Sequence, residues 1–165
     1  MAGEEAMKGG RSKNDKPPPQ ADDHDEDELG DLLQEIRILQ QGAQVLTAFL
    51  TILPFNEGFQ RLDEVEKWVY LATFLSSLVA LIFFSAPAAQ HRLARPLRDR
   101  EKFKNFATRM VIIGLFPMSL ALILSTQMVV SQVFGPLPAY ITAAVIAALI
   151  AVVWFILPIV RKKEM

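Results

Sequence analysis

A chain of 165 residues, 52% of them hydrophobic and with a formal net charge of -1, has room for one helical membrane domain and a tail, but not for a separate catalytic domain. It has no cysteine and only two histidines, His24 and His91, which excludes disulfides and thiolate metal sites and leaves too few donors for a zinc or haem centre. The near-neutral total hides acids crowded between Asp22 and Glu35 and bases between Arg92 and Lys104, an asymmetry that bears on membrane orientation and gives no reason to expect nucleic acid.

Met1 to Gln20 mixes Gly9, Gly10 and charged residues with Pro17, Pro18 and Pro19, and holds no apolar cluster able to offset the entropy of ordering. Residues 1–26 are therefore predicted to form a disordered, acidic, proline-containing cytoplasmic tail. The start is too polar for a signal peptide, so the first transmembrane helix is expected to act as the insertion signal.

From residue 27 the pattern changes. Leu29, Leu32, Leu33, Ile36, Leu39, Ala43, Leu46, Leu50 and Leu53 recur at helical steps, predicting one helix to Phe55, capped by Asp25 or Asp27. Glu28 and Asp31 lie where the helix dipole favours acids. The fully apolar part, Val45 to Phe55, is shorter than the roughly 20 residues a bilayer crossing takes, so Gln40, Gln41 and Gln44 must enter too and the span covers about 36–55. Arg37, Gln40, Gln41, Gln44, Thr47 and Thr51 project within an arc of about 120° at the helical step. Amides facing lipid tails are costly, so this stripe is expected to pair with other helices; the competing reading is the lining of a hydrated path.

The connection 56–67 sets Phe59, Leu62 and Val65 beside Glu57, Asp63 and Glu64, the pattern of a short interfacial helix with a solvated acidic face. A second apolar run, 68–86, offers Ala72, Ser76 and Ala80 as a packing face and Trp68 and Tyr70 as boundary anchors. It ends at Ala86 and Pro87, with His91 and Arg92 at the membrane edge as a headgroup contact or an interfacial switch. Arg92, Arg95, Arg98, Arg100, Lys102 and Lys104 make the 92–104 loop cytoplasmic and attractive to anionic lipid headgroups.

In the third run, 110–134, Gly114 and Pro117 predict a kink, and Ser125, Thr126, Gln127, Ser131 and Gln132 make its outer half polar. The fourth, 138–160, carries Ala143, Ala147 and Ala151 as a helix-packing face, within the bundle or between copies, and Trp154 lipid-facing or packed. Arg161, Lys162 and Lys163 place the C-terminus on the same side as the basic loop. The predicted fold is thus all-α: an integral membrane four-helix bundle over 27–163, both termini cytoplasmic, with the bilayer as its main partner.

The run QQGAQVLTAFLTILPF from Gln40 to Phe55, then Phe59, Leu62, Asp63, Val69 and Tyr70, then Ala86, Pro87, His91 and Arg92, resembles an uncharacterised bacterial four-helix membrane family, a domain of unknown function. The resemblance covers about Leu29 to Leu157 and implies a small inner-membrane protein; members of the family often carry the label sodium:proton antiporter. It brings no catalytic residues with it. A proton-coupled carrier generally keeps an ionisable group at bilayer depth, and no Asp, Glu, His or Lys falls inside the predicted spans. The sequence therefore points to a protein without enzymatic activity or cofactor, structural or regulatory in role. The alternative is a small cation transporter or channel, including sodium/proton exchange, working as a homo-oligomer with its path between copies.

Overall fold

The computed structural model describes the backbone of residues 21–93 and 100–164 and the side chains of 30–90, 92–93 and 101–161. The tail 1–20 and the loop residues Arg95 and Arg98 lie outside the described residues. All regular structure within them is helical: α1 Ala21–Ile52, α2 Glu64–Leu93, α3 Arg100–Phe134, α4 Pro136–Ile150 and α5 Leu157–Glu164. A π-helical segment, Ala151–Ile156, joins α4 to α5 in one continuous rod.

Among the described residues four stretches are long and apolar enough to cross a membrane: Gly30–Phe55, Glu64–Gln90, Glu101–Phe134 and Pro136–Arg161. The first is the least apolar, with a mean hydropathy of 1.3 against 2.0 or more for the others, and the glutamines of α1 are the reason. The helices run past their apolar segments at the basic end. α1 starts at Ala21, so residues 21–26 are helical and Asp25 and Asp27 lie inside the helix instead of capping it. Acids at a helix start interact well with the dipole, which extends α1 beyond the hydrophobic periodicity. α2 continues through Pro87 to Leu93, and α3 begins with the polar turns from Arg100. The connection 53–62 consists of 3₁₀ turns, Leu53–Phe55 and Glu57–Arg61, where one interfacial helix was expected.

Between α3 and α4 the chain reverses at Gly135, whose φ of 86° lies in the left-handed region that glycine enters without a Cβ clash. Its N–H closes α3 by donating to Ser131 O at 3.0 Å. Pro136 follows at the first helical position, where its fixed φ suits the turn and no N–H is needed.

The helices pack in chain order, α2 most closely on α3, with α1 against α2 and touching α3, while the α4 backbone approaches α3 alone. The bundle is therefore open between its first and last helices. On α2 the buried residues are Thr73, Ser77, Ala80, Phe84 and Pro87, alternating four- and three-residue steps. Such alternation is the spacing of a packed helix seam. It lies one position around from the predicted face, for Ala72 is exposed and Ser76 half-buried while Ala80 alone is shared. The core gathers Ala43, Ala80, Phe84 and Met118, flanked by Leu39, Leu46, Leu81, Leu115, Leu122 and Trp154. Trp154 is thus the point where the last helix reaches the centre.

α3 is helical without interruption across Gly114 and Pro117. Gly114 is buried, and a Cβ built on it would lie 2.7 Å from Phe84 Cε1 and 3.0 Å from Phe83 Cβ. The missing side chain lets α2 and α3 approach, a packing reason for the glycine that the kink reading did not contain.

Candidate functional site

Polar side chains gather at both ends of the bundle, with locally bonded hydroxyls between them. In the middle, Thr47 of α1 faces Ser77 of α2 with their hydroxyl oxygens 3.2 Å apart. Each also has a backbone acceptor on its own helix, Ala43 O at 2.7 Å for Thr47 and Phe74 O at 2.8 Å for Ser77. Thr73, Ser119 and Thr126 likewise donate to carbonyls one turn back. These hydroxyls are satisfied locally, as polar groups in an apolar interior must be, and no buried side-chain N or O among the described residues lacks a partner. No ionisable side chain is buried among them.

At the Gly135 end a cleft of about 480 Å³ opens between α2, α3 and α4. Asp63, Glu66, Gln127, Ser131 and Tyr140 supply its polar wall, over an apolar floor that includes Met128 and Ala143. Glu66 is held from two sides: Oε2 accepts the Asp63 N–H at 3.1 Å, and Oε1 accepts from Gln132 Nε2 at 2.7 Å. The first contact is half of a capping box at the start of α2 and the second ties α2 to α3. Among the described residues no group of three or more His, Cys, Asp or Glu side chains is placed to hold a metal ion.

Beside this cleft the Tyr70 hydroxyl donates to Leu50 O at 2.9 Å. The helical partner of that carbonyl would be the N–H of residue 54, and Pro54 has none, so the tyrosine fills a vacancy that proline creates. The Tyr70 ring lies edge-on to Phe59 at 4.9 Å and stacks with Phe74 at 6.1 Å, which fastens the 3₁₀ connection to α2. Tyr70 is therefore an interhelical bridge as well as a ring near the end of its helix. Tyr70→Phe keeps the ring contacts and removes only the hydroxyl, so unfolding in detergent should show a loss of about 0.5–1.5 kcal/mol. An unchanged unfolding midpoint would mean that Leu50 O has another partner.

At the opposite end a smaller crevice, about 220 Å³, lies between α1 and α2 and is lined by Leu33, Ile36, Arg37, Gln40, Ala88 and Arg92. The structure thus brings together Arg37 and Gln40 from the first-helix stripe with Arg92 from the end of α2. The rest of the stripe divides. Thr47 is buried, whereas Gln41, Gln44 and Thr51 are exposed in the single chain, Thr51 returning its hydroxyl to Thr47 O at 2.8 Å. α1 turns Ile36, Ala43 and Leu50, seven residues apart, onto its neighbours, so only the edge of the polar arc is covered. His91 belongs to α2, and its side chain lies outside those described.

On the last helix Ala139 and Ala143 are buried, Ala147 is half-buried and Ala151 is exposed at the start of the π segment. Since the α4 backbone approaches α3 alone, the upper part of the expected alanine face is spent inside the chain. Two features had sequence signals that went unread: Asp63 followed three residues later by Glu66 is a capping pattern, and a proline four residues after Leu50 marks an orphan carbonyl.

A family model matches residues 21–158, from the start of α1 to the last helix. The chain belongs to DUF6328, a family of unknown function. The DUF6328 match takes in the first three apolar helices and the fourth as far as Pro158, so the architecture described is that of the family region and not of an appended segment. Among curated proteins and solved structures, none matches this chain.

Proposed function

We propose that this DUF6328 protein is a multi-pass protein of the bacterial inner membrane, crossing four times with both termini in the cytoplasm, and that it serves a structural or regulatory role without enzymatic activity. Its exposed surface supports the crossing. Phe49, Ile52, Phe116, Ile141, Val145 and Leu149 turn outward over helices long enough to span, a surface suited to lipid. The proposed orientation rests on the Lys and Arg excess, with Arg92 to Lys104 and Arg161 to Lys163 supplying nine at one end against Arg61 and Lys67 at the other.

The observation that carries the functional reading is the closed centre. Ala43, Ala80, Phe84 and Met118 lie between the two polar ends, and the hydroxyls beside them are bonded locally. A cation crossing within one chain would have to pass an apolar plug with no charged group to replace its hydration, a costly step. A second reading, cation transport by an oligomer with its path between copies, draws on the Asp63 and Glu66 cleft at one end of the bundle.

Purified protein in sealed vesicles, given a sodium gradient or a pH jump while internal pH is read, separates the two. The favoured reading expects no flux above empty vesicles for sodium, potassium or protons. Flux above that background that falls in Glu66→Gln or Gln44→Leu would overturn it in favour of transport.

A further inference from the structure

The crevice between α1 and α2 has an arrangement that packing alone does not explain. Arg37 and Arg92 come from different helices, line the same recess, and neither has an ion-pair partner among the described residues. Two guanidinium groups lining one recess, both exposed, make it electropositive and attractive to an anion. Gln40 adds an amide with two N–H donors on the same wall. The floor is of the opposite character, with Leu33, Ile36 and Ala88 continuing toward the apolar run of both helices. Ile38 and Leu93 stand exposed close by in sequence, apolar surface that a soluble anion would leave bare and an acyl chain would cover.

Resting on the membrane reading above, we propose that this crevice is a binding site for the phosphate headgroup of an anionic phospholipid. Arg37 and Arg92 bind phosphate oxygens, for which the planar fork of guanidinium is well matched, and Gln40 donates to the same group. The glycerol linkage and the first part of a tail lie on Leu33, Ile36 and Ala88. A recess of about 220 Å³ takes the headgroup and leaves the tails along the outside of α1 and α2. Basic recesses between helices on the cytoplasmic side are suited to this chemistry, and the position agrees with the orientation argued from the charged ends. A lipid bound there would also hold the polar half of α1 beside α2 at headgroup level, where Ile36 is the only buried side chain among the described residues of α1 before Ala43.

The test titrates the full chain, in detergent, with phosphatidylglycerol, with phosphatidylcholine of the same tails and with inorganic phosphate, and counts retained lipid by native mass spectrometry. Phosphatidylglycerol should be retained in preference to phosphatidylcholine, and Arg37→Gln or Arg92→Gln should each weaken that retention roughly fivefold, with the double variant weaker still. Arg161→Gln, which removes a charge from the same end but outside the crevice, should leave it unchanged. Equal retention by the double variant, or the same loss in Arg161→Gln, would overturn the site in favour of a diffuse basic field. Displacement of the lipid by an equal concentration of inorganic phosphate would overturn the lipid as its ligand. Flotation with neutral phosphatidylcholine vesicles keeps the two readings apart. Protein that fails to float overturns the membrane reading and this proposal together; protein that floats without preferring phosphatidylglycerol overturns this proposal alone.

Discussion

Gly114→Ala should destabilise the protein by about 1–3 kcal/mol, the usual cost of forcing an extra methyl into a filled core. Two effects compete at this position. Alanine is the better helix former by about 1 kcal/mol, which favours the substitution. Against it, the new Cβ would lie 2.7 Å from Phe84 Cε1 and 3.0 Å from Phe84 Cδ1, where carbon contacts ordinarily sit at about 3.5–4.0 Å. The obstacle is an aromatic ring that is fully buried, so it has little room to turn away. The helices would have to separate, and the contact between α2 and α3 is the most extensive in the molecule. Phe84→Leu in the same chain makes room, so the double variant should recover part of the loss even though Phe84→Leu alone is destabilising. Unfolding in detergent micelles measures all three. A neutral or stabilising Gly114→Ala would mean that helix propensity outweighs the close approach and that the glycine is not there to admit α2.

The same residue shows how far the sequence could be read. Gly114 and Pro117 stand out in an apolar helix, and helix chemistry alone suggests a bend; the reason visible in the structure is a partner ring on another helix, which no local rule supplies. The helices themselves were legible because their apolar runs are long, and the end of α3 and the turn at Gly135 fell where the residues place them. The polar extension of α1 was not, since Asp22 to Asp27 continue the helix without apolar periodicity to mark it, whereas the start of α3 is marked by Phe103, Phe106, Ala107 and Met110 at helical steps, of which Phe103 and Ala107 are buried.

The polar stripe was legible as an arc and not in its rotation. A helical wheel shows that Arg37, Gln40, Gln41, Gln44, Thr47 and Thr51 share one side, but which edge is buried depends on where α2 sits. With α1 at the open side of the bundle, Thr47 and part of Gln40 are covered and Gln41 and Gln44 are not. The crevice was half legible for the same reason: Arg37 and Arg92 are both conspicuous at the ends of their apolar runs, while their meeting across two helices is a matter of packing.

Four crossings with both termini inside make an all-or-none prediction, because a reporter enzyme that matures only outside the membrane is active or silent according to the side it occupies. The side is set by the excess of Lys and Arg, and here the bias is consistent: six between Arg92 and Lys104 and three more at Arg161, Lys162 and Lys163 outnumber Arg61 and Lys67 of the 56–67 connection, and the reversal at Gly135 with the start of α4 to Pro138 carries none. Each of the four stretches must cross for both assignments to hold, so loss of any one span would move every later reporter to the other side. The direct measurement fuses a phosphatase that requires the periplasm at Gly58, at Gly135 and after Lys163 in turn, with a cytoplasm-dependent fluorescent protein as the reciprocal probe. Phosphatase activity at Gly58 and Gly135 with fluorescence alone after Lys163 is the predicted result. Phosphatase activity after Lys163 together with silence at Gly58 would contradict it.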